Sequence, residues 1–170
     1  MDEAITGRLN RLWDEEKIQP ACRVGCCHCC RFHILTNMAE AYALVRYIKR
    51  EWNGEQINQL RHRTRLWHAW DQGQPGRKVS KWIDFQLDLA GYEDVCPLLV
   101  DGACSVYPVR PGVCRSHYVS TSPLACQAMN HPGSPASAPV TLRSVVEAAD
   151  PYSLALRGQV EAAGWDYQRT

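Results

Sequence analysis

The stretch "ACRVGCCHCCRF", residues 21–32, holds five cysteines: Cys22, Cys26, Cys27, Cys29 and Cys30. Four more follow at Cys96, Cys104, Cys114 and Cys126. Both groups read as irregular segments, and the helical patterns around them contain no cysteine. A cysteine used as a small hydrophobe belongs on an apolar helix face among Leu and Val. These thiols sit instead where the backbone can turn toward a common centre.

Working outward, Ile5, Leu9, Leu12 and Trp13 share one face of a helix over residues 3–18, closed at Gln19-Pro20. Beyond the first group, Asn37 with Glu40 three positions on has the pattern of a capping box. It opens a helix whose apolar stripe is Ala41, Leu44, Val45 and Ile48 and which stops near Asn53-Gly54. A third helix over 55–71 puts Ile57, Leu60, Thr64 and Trp67 on one face and Arg61, His62, Arg63 and Arg65 on the other. "DQGQPGRKVS" (71–80) reads as a loop, and "KWIDFQLDLAG" (81–91) as a short helix closed by Gly91.

The texture then changes. "CPLLVDGACSVY" (96–107) is two short apolar runs joined by Asp101-Gly102, a hairpin signal. "PVRPGVCRSHY" (108–118) is too proline-rich for a regular element at its start, with a helical turn beginning near Pro111. "SPLACQAMNHPGSPASAP" (122–139) reads as irregular, its second half of low complexity. Asp150-Pro151 reads as the N-cap and first residue of a last helix running to about Ala163. The expected fold class is mainly α. It is a small helical domain with a short β-hairpin and a cysteine-rich metal-binding loop region. One domain covers 1–170, with cysteine motifs at 22–30 and 96–126 and a C-terminal helical segment over 140–165.

Composition narrows what such a domain does. With 170 residues, 45% hydrophobic and 22% charged, the chain can bury a real core without staples. A formal net charge of +1 gives no field to draw in nucleic acid or an anionic membrane. The start, "MDEAITGRLNRLWDEE", is polar and acidic and unlike a secretory signal. No apolar run reaches the ~18 residues of a membrane span. A cytoplasmic setting is the expectation, and there clustered cysteines mean metal or redox work more often than disulfides. Nine is also an odd number to pair.

Spacing favours metal. Cys26-x-x-Cys29 and Cys27-x-x-Cys30 both have the two-residue gap that lets two thiolates reach one ion. Cys114-x-x-His117 offers that gap with an imidazole. A four-thiolate zinc site, or an oxidised 4Fe–4S cluster on four thiolates, carries about −2 overall. Arg23, Arg31, Arg110 and Arg115 lie close enough in sequence to offset that charge, or are simply solvated loop residues.

"CRVGCCHCC" contains C-x-x-x-C-x-x-C-C through Cys22, Cys26, Cys29 and Cys30. "CPLLVDGACSVYPVRPGVCR" contains C-P-x-L, then C-x-x-Y, then R-P-x-x-C-R. Together these resemble the CxxCxxCC, or YkgJ-type, cysteine-cluster family, described as a zinc- or iron-chelating domain. The matching blocks are 22–30 and 96–115, extending to Cys126. The resemblance implies metal binding through Cys22, Cys26, Cys29, Cys30, Cys96, Cys104, Cys114 and Cys126, without settling the metal or an activity. Flagellin lysine methylases, associated with an iron–sulfur cluster, share the motif, but this chain is shorter and lacks a Gly-rich cofactor loop after a strand. Cys27 departs from the pattern as an additional thiol.

Cys29 and Cys30 are sequential, so their Cβ vectors are expected to diverge, sending one thiol to each of two sites or one to packing. Eight cysteines suffice for two four-coordinate sites or for one cluster with thiols to spare. Soft thiolate donors select zinc or iron–sulfur over magnesium or calcium. The cofactor is therefore zinc or iron, including a 4Fe–4S cluster. Cys96-Pro97 and the lack of a second C-x-x-C knuckle tilt the choice toward iron. His28, His33 and His117 lie near thiols as candidate ligands or outer partners. Tyr107 is expected to pack the hairpin against the cysteine loop, and Trp67, Trp70 and Trp82 to serve core and rim. Three functions stay open: a structural or electron-carrying metal centre, an iron or Fe–S dependent enzyme, and a thiol oxidoreductase working through Cys26/Cys29 or Cys27/Cys30. The last lacks a preceding βαβ pattern.

Overall fold

The computed structural model describes residues 1–23, 25–31, 34, 36–73, 95–129 and 138–165. The expected loop over 74–80, helix over 81–91, His33, Trp82 and the low-complexity half of 122–139 lie outside those residues. Among the described residues there are six α-helices, two short 3₁₀ turns and one two-stranded hairpin, so the fold is mainly α.

Helix α1, Asp2–Asp14, buries Ile5 and Leu12, spaced two turns apart on one face. Trp13, assigned to that face from sequence, is 52% exposed. It is one position off the seam that the partner helix covers. Helix α2, Met38–Glu51, starts with the expected reciprocal cap. The Asn37 side chain accepts from the Glu40 amide at 3.0 Å, and the Asn37 amide donates to Glu40 Oε2 at 3.2 Å. Ala41, Leu44 and Ile48 are half-buried, while Val45 faces solvent. Helix α3, Gly54–Gln72, opens on a second capping box, Asn53 with Gln56, which sequence reading passed over.

The hairpin is as expected. Strands β1 (Leu99–Val100) and β2 (Ala103–Cys104) pair antiparallel with Leu99 opposite Cys104. Asp101 (φ 49°) and Gly102 (φ 75°) are both left-handed, the backbone of a type I′ turn. A 3₁₀ turn, Tyr107–Val109, leads to helix α4, Gly112–Ser116, with Pro111 at its N-cap.

Two expectations fail after that. Residues 123–129 are not irregular: helix α5 spans Pro123–Met129, with Ser122 Oγ accepting from the Leu124 amide at 3.3 Å. Proline at the first helical position after a serine cap is a favourable start. The last helix, α6, spans Arg143–Ala162 and carries Pro151 inside it rather than at its first turn. Val145 and Ala149, upstream of that proline, are buried at 0% and 3%. Packing of that first stretch offsets the hydrogen bond that Pro151 cannot donate.

The core is where α6 lies on α1: Ile5, Leu12, Leu142, Val145 and Ala149, with Leu9, Ile18 and Tyr118 packed at its edge. The segment 118–121 runs through the middle of this frame. Val119 bridges Thr141 in antiparallel sense, Leu142 N donates to Tyr118 O (2.8 Å), and Ala21 N donates to Val119 O (2.8 Å). That last bond fixes the entry to the first cysteine group against the exit from the second. No helix among the described residues is long and apolar enough to cross a membrane.

Candidate metal centre

Two backbone ties bring the cysteine groups together. One is the Ala21–Val119 bond beside Cys22. The other joins cysteine to cysteine: the Cys96 amide donates to the Cys30 carbonyl at 2.8 Å. Cys29 and Cys30 lie in a 3₁₀ turn, His28–Arg31, and α5 packs against that turn, bringing Cys126 to it. The thiols are thus drawn from the 22–30 loop, the hairpin, α4 and α5. The expectation that no helix carries cysteine does not hold, because Cys114 is on α4 and Cys126 on α5. Both helices are short and serve to aim one thiol each.

All nine thiols are free, eight of them partly buried and Cys126 buried. Their charges act on one another across the two groups. Burial pushes the Cys114 thiol up to about 12, helped by Cys29, Cys96 and Cys104. Burial also raises Cys96, with Cys104 and Cys29 adding to it. Cys22 is raised by burial and by Cys26 and Cys29. Cys126 is raised by burial and by Cys22, Cys26 and Cys29. These leading couplings run among the eight thiols of the family-like pattern, and Cys27 does not figure in them.

The neighbouring pair does not diverge as expected. The Cys30 S–H donates to the Cys29 sulfur, lowering Cys29 to about 7 and raising Cys30, whose proton is held in the bond. In a 3₁₀ turn successive residues are 120° apart, close enough for adjacent thiols to meet in this way.

Donors and charge around the sulfurs suit thiolates. The Val119 amide donates to the Cys22 sulfur, and the Leu98 and Leu99 amides donate to the Cys96 sulfur. Amide hydrogen bonds to sulfur stabilise the charged form and tune thiolate-bound metals. Of the four arginines near the ligands in sequence, Arg110 faces the cluster, and its charge lowers Cys22, Cys29 and Cys114 against the other effects there. Its guanidinium lies 4.1 Å from the centroid of the Tyr107 ring, and its Nε is buried without a hydrogen-bond partner. Tyr107 is therefore not packing between hairpin and loop; it is 52% exposed and carries Arg110. The three-residue spacing of 107 and 110 across a 3₁₀ turn stacks the two side chains. Arg115 is used elsewhere: it holds Asp2 at 2.7 Å and the carbonyls of Arg110 and Pro108.

Two supports were missed from sequence. Arg63, assigned to the solvent face of α3, donates from Nε to Pro97 O at 2.9 Å and pins the Cys96-Pro97 turn. Glu40, besides its capping role, accepts from the Gly112 amide at 2.7 Å and so holds the start of α4, which carries Cys114. A half-buried arginine and a capping glutamate give no sequence signal for such distant partners. His117, at the end of α4, is half-buried, and burial lowers its imidazole. His28 sits in the 3₁₀ turn.

The donor chemistry fits a soft metal: eight thiols, amides directed at two of the sulfurs, and a cation among them. Among the described residues no three His, Cys, Asp or Glu side chains are gathered tightly enough to hold an ion as they stand. What the fold and site define is a small, mainly helical protein in which backbone bonds bring two cysteine-bearing segments together. No family model, curated protein or solved structure matches the chain.

Proposed function

We propose that this protein binds a thiophilic metal, zinc or iron and including a 4Fe–4S cluster, through Cys22, Cys26, Cys29, Cys30, Cys96, Cys104, Cys114 and Cys126. The observation that carries the reading is the backbone bond from the Cys96 amide to the Cys30 carbonyl, which brings the two cysteine groups together. In the metal-free state most of these partly buried thiols stay protonated, which avoids buried charge. A metal removes those protons and converts the cluster into a crosslink between distant segments. The likeness to the CxxCxxCC family supports the same reading. The centre is structural or electron-carrying, in a cytoplasmic protein; an iron-dependent enzyme is the alternative use of the same ligands.

The test is the metal and acid-labile sulfide content of protein purified without oxygen. Iron with sulfide identifies a cluster, and stoichiometric zinc without colour identifies a structural ion. Metal-free protein would turn the reading to thiol redox work, for which the lowered Cys29 thiol beside Cys30 is the specific feature.

A further inference from the structure

We infer that Arg110 supplies the compensating cation of the metal centre proposed above, and that Arg115 is the positioning residue that sets it there. This rests on the metal-binding reading and goes beyond it by giving roles to two residues that are not ligands.

The guanidinium of Arg115 is engaged at all three nitrogens. Its Nε donates to Arg110 O at 2.8 Å, one Nη donates to Pro108 O, and the other donates to both carboxylate oxygens of Asp2 at 2.7 Å each. A planar fork held at every nitrogen has one orientation, which a lysine cannot reproduce. Two of its partners are carbonyls of a single turn, so Arg115 fixes the backbone of residues 108–110 and ties it to α1. The 3₁₀ period then stacks Arg110 on Tyr107, with the guanidinium 4.1 Å from the ring centroid. The ring is 52% exposed, whereas Arg110 Nε is buried.

The charge so placed has no partner of its own. Arg110 makes no ion pair among the described residues, and its buried Nε–H has no acceptor. A buried donor on a cation calls for an anion. The carboxylates tied to this region are engaged: Asp2 by Arg115, and Glu40 by the Gly112 amide, Thr36 and Asn37. Arg110 immediately precedes Pro111, the N-cap of the helix that carries Cys114. The anion that suits it there is a set of metal-bound thiolates, about −2 overall for four around zinc. Its effect on Cys22, Cys29 and Cys114, in both cysteine groups, agrees with that placement.

The experiment measures zinc affinity of the reduced, metal-free full chain by competition with a chelator, without oxygen. Arg110→Met should weaken zinc about tenfold or more, and Arg110→Lys, which keeps the charge, should recover most of that loss. Arg115→Met should weaken zinc in the wild-type background and add nothing once Arg110 is Met, because it acts through Arg110. Tyr107→Leu, at an exposed position, repeats that cycle in case Arg115→Met loses its helical circular dichroism. Unchanged affinity in Arg110→Met, or no recovery in Arg110→Lys, overturns the role of Arg110 while leaving metal binding intact. Additive losses in the double variants overturn the positioning role. No tight zinc in the wild type overturns the metal-binding reading and this inference with it.

Discussion

The amide of Cys96 donates to the carbonyl oxygen of Cys30 at 2.8 Å. This bond makes neighbours of two cysteine groups separated by helices α2 and α3 and the segment after them. It also sets the second group's entry: Cys96 begins the turn that Arg63 pins at Pro97 and that leads into the hairpin bearing Cys104. Local turn chemistry, a distant arginine and a cross-group backbone bond thus agree on one position.

The additional thiol should be dispensable. Cys27→Ser is expected to retain most of the bound metal, whereas Cys26→Ser, Cys30→Ser and Cys114→Ser should each lose a large part of it, because a three-thiolate remainder opens the shell to water. Metal analysis of the four purified variants checks this. Retention in Cys26→Ser with loss in Cys27→Ser would make Cys27-x-x-Cys30 the working knuckle instead.

Glu40 should matter to Cys114 from a distance. It serves the Asn37 cap and the Gly112 amide together, so Glu40→Ala leaves a part-buried donor unpaired and loosens α4. The expected cost is about 1–3 kcal/mol in urea unfolding, with weakened metal retention at Cys114. Leu12→Ala is the control: a cavity in the α1–α6 core costs about 2–5 kcal/mol but leaves metal content near that of the wild type. Equal metal loss in both variants would show that retention follows global stability alone.

Alkaline pH should separate metal-free from metal-bound protein. In the metal-free fold Cys22, Cys30, Cys96, Cys114 and Cys126 are raised, chiefly by burial and, for Cys30, by its bond to Cys29. A raised thiol contributes stability that is complete below the unfolded value of about 8.5 and is lost as pH climbs toward the folded one. Cys29, lowered to about 7, works the other way, losing its contribution as pH falls through 7. Five groups outweigh one, so the urea midpoint of metal-free protein should fall between pH 8 and 10. Metal-bound protein, its thiolates already ionised, should change little over that range. Parallel falls in both forms would contradict this account of the thiols.

Metal removal should loosen the second cysteine region before the core. Residues 96–126 reach the rest of the protein through the thiols, a few backbone bonds, packing of α4 on α6 and the side-chain bonds of Arg63, Glu40 and Arg115, while α1 and α6 hold each other through buried side chains. Hydrogen exchange is expected to rise over 96–126 on chelation and to stay slow at Val145 and Ala149. Unchanged protection over 96–126 would refute it.

Much of this architecture was legible where local chemistry decides it. Asn37 with Glu40 and Asp101-Gly102 dictate a cap and a turn regardless of surroundings, and both formed where their residue types require. The same logic at Ser122-Pro123 announces α5, but the cysteine and the glycine- and proline-rich run just beyond drew the segment toward an irregular reading. Pro151 misled in the opposite direction, since its preference for a first turn is weaker than the burial of Val145 and Ala149 before it. The eight proposed ligands are those that the resemblance of the two cysteine blocks to the CxxCxxCC family implies. Which arginine faces them could not be named from sequence, because the selection of Arg110 depends on a 3₁₀ turn that stacks it over Tyr107.

The central claim is that sulfur from both cysteine groups surrounds a metal, and X-ray absorption at the metal edge of protein purified without oxygen tests it most directly. The account predicts a first shell of sulfur alone, at about 2.3 Å for zinc, or for iron a sulfur shell with a further iron–iron scatterer from a cluster. A first shell dominated by nitrogen or oxygen, or protein carrying no metal to measure, would contradict it.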